Sequence, residues 1–206
     1  MIDKSLCARR TGHSLFLSRH RGFTLVEVLM SVVLIAIGMA LALPSYRDMV
    51  EKRQVTNAAE QLASFVNAAQ GAAMKSNSEV SVSWNQAGEA WCLGATEGSD
   101  PCDCDSTEEN ACEIGGQTFI LDESHASPQV SMQPINGDGD YAFDPIRGLM
   151  VDLDDSLGME MRSLSGDFRL SLMVNNVGRV ILCSPSSDHA VPGYPVCPVQ
   201  NAEDGS

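Results

Sequence analysis

An acidic residue inside an apolar segment is the first feature of this sequence that could do chemistry. Residues 23–43, FTLVEVLMSVVLIAIGMALAL, contain no charged side chain except Glu27. A carboxylate in such a segment is unfavourable in lipid, so it is rare unless it is paired or functional. The alternative is that Glu27 lies near a helix start and only interacts favourably with the helix dipole.

Cysteine is the second residue type in this sequence that could do chemistry. Cys7 lies in a basic amino-terminal segment, and six others lie far beyond the apolar segment: Cys92, Cys102, Cys104, Cys112, Cys183 and Cys197. Six cysteines in an acidic, Gly- and Ser-rich region downstream of a membrane-length segment indicate disulfides made in an oxidising compartment. Zinc is the rival interpretation, but paired C-x-x-C spacing and nearby histidines are absent from the sequence.

Oxygen ligands occur in NGDGDYAFDP, residues 136–145. Asn136, Asp138 and Asp140 resemble the start of a calcium loop. The pattern then fails, because Tyr141 stands where the loop needs glycine and Arg147 where it needs a bidentate glutamate. The sequence therefore predicts an acidic turn before a strand, with no metal site and no cofactor.

Catalytic patterns are missing from the sequence. His125 and His189 are isolated in polar segments, and no nucleophile elbow, phosphate loop or metal-ligand spacing occurs. Ser184 lies near His189 only because the tail is rich in serine. We therefore expect a protein that is not an enzyme.

The elements that carry these residues begin with a membrane-length helix. Residues 23–43 as a helix would be about 31 Å long, which matches a hydrocarbon core of about 30 Å. Residues 1–22 hold five of the 13 basic residues but one of the 27 acidic ones. By the positive-inside rule the amino end stays in the cytoplasm and the acidic body is exported. A secretory signal peptide would have a shorter apolar core.

The helix is predicted to continue through residues 44–76, with Pro44 kinking it without ending it. Apolar side chains recur at steps of three, four and eight and define one face for packing: Tyr46, Val50, Ala58, Leu62, Val66, Ala69 and Ala73, flanked by Met49, Ala59, Phe65 and Ala72.

The region after Asn77 is predicted to form strands, because apolar and polar residues alternate there. The predicted strands are residues 79–84, 90–96, 117–121, 129–133, 148–153, 167–174 and 179–183. Residues 97–116 are acidic and cysteine-rich and predict a disulfide-tied loop. The fold class is α+β, with a long helix packed on an antiparallel sheet.

Several segments resemble a known family. RGFTLVEVLM resembles the prepilin signal of type IV pilins and type II secretion pseudopilins, and the likeness covers residues 19–47. AWCLG, YAFDPIRGLM and NNVGRVILC resemble the FimT/GspH group of minor pilins and pseudopilins. The resemblance implies four parts: a removed leader (1–22), a transmembrane half-helix (23–43), an amphipathic half-helix (44–76) and an exported β-rich head (77–206).

The resemblance also gives Glu27 a role. It implies that a prepilin peptidase cuts between Gly22 and Phe23 and methylates the new amine of Phe23, so the chain is an enzyme's substrate. Glycine suits the cut because it has no side chain to obstruct the peptidase. In a filament, Glu27 would meet the cationic amine of a neighbouring Phe23 and set the axial register. The implied partners are other pilins, which bind through the helix, and the inner-membrane assembly platform.

The resemblance further implies a closed terminal loop, in which Cys183 pairs with Cys197. The other four cysteines would then pair among themselves. A bridge between Cys102 and Cys104 is strained, and two cross-pairings remain open.

The leading hypothesis is a minor pilin or pseudopilin that helps to initiate or assemble a filament. The sequence leaves open whether that filament is a pilus or a secretion pseudopilus, although the cysteines favour a pilus. A DNA-binding module for transformation is the alternative, since Arg179 matches one arginine of the DNA-binding branch. The second position is Ile181, and a formal charge of −14 disfavours a general nucleic-acid binder. A plain membrane anchor is disfavoured by Gly22, Phe23 and Glu27 together.

Overall fold

The structure is a computed structural model that describes residues 22–88, 90–106, 111–135, 137–151, 157–175 and 177–198. The predicted leader up to residue 21, including Cys7, lies outside these ranges. The chain divides into two compact units, residues 1–44 and 45–206, and each is described by itself.

Helix α1, Leu25–Ser76, is the longest element, with 52 residues. Its bounds include Pro44, so this proline does not end the helix. Over residues 25–42 the apolar side chains of α1 are exposed all round the helix. An 18-residue window of α1 is long and apolar enough to cross a membrane, and none of that window is buried in the protein. An apolar helix without cover is typical of a segment surrounded by lipid or by other helices.

In the second unit the remainder of α1 supplies one wall of the core. Its buried face consists of Val55, Ala58, Ala59, Leu62, Phe65, Val66, Ala69 and Ala73. The predicted face begins earlier, at Tyr46, yet Tyr46 and Met49 are 61% and 43% exposed. That part of the prediction is wrong, because burial of α1 begins only at Val50, which is half-buried, and is complete first at Val55. Four residues of the buried face are alanines, which belong to the same core cluster as the buried residues of both sheets.

A first four-stranded antiparallel sheet has the order β5-β2-β1-β7. The first two strands form a hairpin whose register pairs Val80 with Glu97 and Ala87 with Ala90. The strands are β1 (Val80–Ala87), β2 (Ala90–Glu97), β5 (Ile120–Asp122) and β7 (Tyr141–Phe143). Between β2 and β5 lies a small hairpin of β3 (Glu113–Ile114) and β4 (Gln117–Thr118).

A second four-stranded antiparallel sheet has the order β10-β9-β8-β6. Its strands are β6 (Val130–Pro134), β8 (Leu157–Ser163), β9 (Arg169–Val174) and β10 (Val180–Cys183). A short helix, α2 (Glu123–Ala126), precedes β6, and the side chain of Asp122 caps it by accepting the His125 N–H. The predicted hairpin of residues 167–174 and 179–183 corresponds to β9 and β10.

The predicted strand at residues 148–153 is wrong over its described part, residues 148–151. Only Met150 pairs there, in an isolated bridge with Phe143. β7 follows directly on the predicted acidic turn, but its residues were not among the predicted strands, and neither were those of β8. In β8, Met159 and Met161 point into the core and are fully buried. Methionine is not a strong strand former, so its alternation with polar residues gave only a weak signal.

Both sheets and the second part of α1 contribute to one core. The largest fully buried side chains include Leu62 from the helix, Leu93 and Phe143 from the first sheet, and Leu170 and Leu172 from the second. The α+β fold class predicted from the sequence is confirmed, with two antiparallel sheets beside the helix.

Candidate functional site

The start of α1 is organised by Thr24. Its hydroxyl accepts the Glu27 N–H at 3.2 Å, and its carbonyl accepts the N–H groups of Glu27 and Val28 at 3.1 and 3.2 Å. These bonds satisfy donors that the first turn of a helix leaves without a partner. Thr24 thus fixes where the helix begins and holds Glu27 in its first turn. The T-x-x-E spacing of a capping box is the signal in the sequence for this helix start.

Glu27 and Phe23 are both exposed, and the Phe23 side chain is 81% accessible. Within the described residues Glu27 has no ion-pair partner; its carbonyl accepts the Ser31 hydroxyl at 2.7 Å. Gly22 and Phe23 lie in the non-helical segment before α1, and a Cβ built on Gly22 meets nothing within 4 Å. The peptide bond between Gly22 and Phe23 is therefore accessible, and the carboxylate of Glu27 faces the surroundings of the chain.

Three disulfides cross-link the head. Cys183 is joined to Cys197, with 4.8 Å between the Cα atoms, and this is the pair that the family resemblance implied. Cys92 is joined to Cys104 and Cys102 to Cys112, with Cα separations of 6.0 and 5.3 Å. These two bridges together form one of the two cross-pairings that the sequence left open.

The two crossed disulfides pack against the backbone of Gly94 in β2. A Cβ at that position would lie 2.7 Å from Cys102 Sγ, 3.1 Å from Cys104 Cβ and even closer to Cys112 Sγ. Only glycine leaves room for both bridges over this strand. The sequence placed Gly94 in a strand but did not show this contact, because it depends on the disulfide pairing.

Arg179 lies at the turn between β9 and β10. Its backbone N–H donates to the Asn175 side chain at 2.8 Å, and Gly178 before it has a φ of +73°. The amide of Gln70, on α1, donates to the carbonyls of Gly148 and Gly178 at 2.6 and 3.1 Å. Gln70 therefore joins two loops, one carrying Arg147 and the other Arg179. Sequence reasoning missed Gln70, since it is 78 and 108 residues away from its acceptors.

Comparison with known families gives two matches. Residues 17–43 match the prokaryotic N-terminal methylation motif. Residues 58–189 match the family described as type II transport protein GspH, which covers well over half of the chain. This chain belongs to the GspH family. The resemblance read from the sequence is thereby confirmed.

Curated relatives match the GspH-family chain over a limited stretch. A fimbrial protein of Pseudomonas aeruginosa is 36% identical over 61 residues, and the type IV major alpha-pilin of Moraxella bovis is 33% identical over 64 residues. The alignments cover 30% and 31% of this chain. The chain thus spans 40% of the length of these relatives.

Two solved structures are similar to the GspH-family chain at low identity. The minor pilin FimU of Pseudomonas aeruginosa has a TM-score of 0.46 and 15% identity, covering 71% of this chain and 98% of FimU. The minor pseudopilin EpsH of the Vibrio cholerae type 2 secretion system has a TM-score of 0.45 and 9% identity, covering 65% and 99% respectively.

The acidic turn of the GspH-family head leads into β7. Asp138 accepts the Asp140 N–H at 3.1 Å, and Asp140 accepts the Trp84 N–H at 2.7 Å. Desolvation raises the pKa of the Asp140 carboxyl above its ordinary value, although the Trp84 N–H opposes the shift. Asn136 lies outside the described residues. In the described part of the chain no group of three or more His, Cys, Asp or Glu side chains could hold a metal ion.

His125 and His189 lie in separate parts of the head, His125 in α2 and His189 in a turn after β10. His125 Nδ1 is 2.8 Å from Asp122 Oδ1, and His189 Nδ1 is 3.1 Å from the Asp167 carbonyl. Ser184 accepts the Val191 N–H with its hydroxyl at 3.2 Å. These are bonds of turns and caps, and they do not join a nucleophile to a base.

The disulfide between Cys183 and Cys197 is expected to contribute measurably to the stability of the head. Replacing both Cys183 and Cys197 by serine is expected to lower the free energy of unfolding by about 3 kcal/mol, because the bridge closes a short loop in the unfolded chain. The sequence separation is 14 residues. Urea denaturation of the purified protein measures the change, and Ser187→Ala in the same loop is the control. An unchanged midpoint for the double variant, or free thiols at both positions in non-reducing mass mapping, would contradict the assignment.

Proposed function

We propose that this GspH-family chain is a minor pilin or pseudopilin, a structural subunit that helps to initiate or assemble a type IV pilus or a type II secretion pseudopilus. One observation carries the proposal: the amino-terminal half of α1 is apolar on every side, is exposed among the described residues, and begins with an exposed acid in its first turn. Such a helix needs lipid first and neighbouring helices afterwards.

Processing would convert the precursor into the subunit. A prepilin peptidase removes residues 1–22 and methylates Phe23, which leaves a transmembrane segment (23–43), an amphipathic segment (44–76) and the head (77–206). The match to the methylation motif and the accessible, non-helical bond after Gly22 support this step. Before assembly, the chain crosses the inner membrane once with its head in the periplasm, where the disulfides form. The protein is a substrate in this process and not a catalyst.

Glu27 would then act as the assembly contact. Thr24 holds it one turn from the new amine, and its own chain offers it no cation among the described residues. An unpaired carboxylate in an apolar environment is costly, whereas pairing with the cationic amine of a neighbour removes that cost. Only one axial position of the neighbour allows the pair, so the pair sets the register.

Replacing Glu27 by alanine tests the role of this side chain. We expect normal cleavage and membrane insertion, since the residues around the cut are unchanged and the helix becomes more apolar. Incorporation into sheared filaments is expected to fall about tenfold or more, as for the loss of a desolvated ion pair. Quantitative immunoblotting of membrane and filament fractions measures both.

Asp48→Ala is the matched control, because Asp48 is an exposed acid on the same helix outside the apolar segment. It should enter filaments at the level of the original chain. Equal incorporation of the Glu27→Ala and Asp48→Ala variants would refute the role assigned to Glu27.

DNA uptake has weaker support. After Asn77 the only basic residues are Arg147, Arg162, Arg169 and Arg179. Arg162 and Arg169 both lie against the carboxylate of Glu160. Two remaining arginines on an acidic head neutralise few phosphates, and non-specific affinity for DNA depends on that number.

The three disulfides favour an exposed pilus over a periplasmic pseudopilus, and adjacent genes for minor pilins or for the secretion core would discriminate between them.

A further inference from the structure

We propose that the head binds an acidic face of a neighbouring filament subunit through a surface formed by the tips of two loops and the end of α1. This two-loop surface consists of Met74, Ile146, Arg147, Val177 and Arg179. The inference rests on the proposed role as a filament subunit and adds where the head makes contact and with what chemistry.

The two loops are held together by α1. The Gln70 amide donates to the carbonyls of Gly148 and Gly178, and Met74 lies over Gly148, with its sulfur 3.0 Å from the position of an added Cβ. Because both carbonyls bond to the same nitrogen, the residues next to them, Arg147 and Arg179, are also brought to one end of the head.

Each loop is also fixed internally. Asp144 accepts the N–H groups of Ile146 and Arg147 at 3.0 and 2.8 Å, while its carbonyl accepts that of Gly148 at 2.9 Å. In the other loop Asn175 accepts the Arg179 N–H with its side chain and the Gly178 N–H with its carbonyl. Loops fixed in advance lose little conformational entropy on binding, which favours a docking role.

Large apolar side chains project from this fixed frame. Ile146 is 79% exposed, Val177 65% and Met74 48%. The hydrogen bonds that fix the loops do not involve these side chains. Exposed apolar side chains grouped at one end of a head are typical of a protein contact.

The charge of the two-loop surface points to an acidic partner. Arg162 and Arg169 are compensated by Glu160, but in the described part of the chain neither Arg147 nor Arg179 lies within 4.0 Å of a carboxylate. Glu79 and Asp144 line the same cavity as Arg147 at a greater distance. Two uncompensated arginines on a chain of formal charge −14 favour complementary acidic groups.

The residue composition of the two-loop surface favours a protein partner over a nucleic acid. Arginines next to aliphatic side chains and a methionine have the composition of a protein interface core with a polar rim. A phosphate-binding surface would instead need several cations along a groove. We therefore commit to a protein partner, and DNA is an outcome that the test can reveal.

Site-specific cross-linking in filament-producing cells tests this inference. A photo-reactive amino acid is placed at Val177 of the full chain, and adducts are purified from sheared filaments and mapped by mass spectrometry. We expect a cross-link to a segment of another pilin-like subunit that contains Asp or Glu. In an Arg147→Glu, Arg179→Glu double variant the yield should fall about tenfold, as for the loss of complementary charges, and Lys substitutions at the mapped acids should restore it.

Leu164 supplies the matched control, since it is 77% exposed at the turn between β8 and β9. Probes at Leu164 should behave identically with and without the double charge reversal, and the double variant should still be recovered in filaments. A filament-incorporated chain with no Val177 adduct, with adducts to DNA or lipid, or with adducts insensitive to charge reversal would overturn the inference alone. A chain absent from filaments altogether would instead overturn the proposed function.

Discussion

Replacing Gly178 by alanine is expected to destabilise the head by about 4 kcal/mol. Gly178 has a φ of +73°, a region that costs a residue with a Cβ about 1–2 kcal/mol. The added Cβ would also overlap the Gly148 carbonyl and the Gln70 amide. These are a backbone atom and a half-buried hydrogen-bonding group, so relief requires the two loops to separate. Overpacking of about 1–3 kcal/mol and a weakened bond to Gln70 add to the backbone term.

Gly166→Ala is the control that separates the two causes. Gly166 has a φ of +79°, but a Cβ built there meets nothing within 4 Å. It should therefore show only the backbone cost. Urea denaturation of both variants measures the difference, and equal destabilisation would show that Gln70 does not hold the loops closely together.

Replacing Gly94 by alanine is expected to cost about 4 kcal/mol and to scramble the disulfides of the acidic loop. The backbone angle of Gly94 is ordinary, so the effect is purely steric. The new Cβ would lie inside the contact distance of Cys102 Sγ and Cys112 Sγ. Since the sulfurs are covalently tied on both sides, they cannot rotate away as a flexible side chain would. Overpacking and the loss of a native bridge are each worth about 1–4 kcal/mol.

Gly71→Ala provides the opposite expectation. Gly71 lies inside α1, and an added Cβ meets nothing within 4 Å, so alanine should stabilise the protein by about 0.5–1 kcal/mol. Non-reducing peptide mapping of both variants reports the pairing. A Gly94→Ala protein with bridges Cys92–Cys104 and Cys102–Cys112 at full yield and unchanged stability would disprove the packing of the disulfides on β2.

The long helix and the β9–β10 hairpin could be predicted from the sequence because their signals are local. An apolar run that continues into an amphipathic repeat specifies a helix whatever the rest of the chain does. RLSLMV and VILC around Asn175 and Gly178 likewise specify two strands and a turn. The acid at Glu27 stood out for the same reason, since its neighbours in sequence are apolar.

Non-local features could not be predicted. Strands β7 and β8 are short or methionine-rich, and they are strands because β1 and β9 pair with them. The apolar face of α1 runs from Tyr46 in sequence, but where burial starts depends on how far the sheets reach. The contacts of Gln70 and of Gly94 join residues far apart in the chain, so no local periodicity of the sequence predicts them.

The amino terminus of the chain recovered from filaments tests the central claim most directly. Cells that produce the full sequence are sheared, and the filament fraction is analysed by intact mass and amino-terminal peptide sequencing. The account predicts a chain that lacks residues 1–22 and begins with N-methylated Phe23. A chain that keeps its leader, begins elsewhere, or stays entirely in the membrane fraction while filaments form would contradict it.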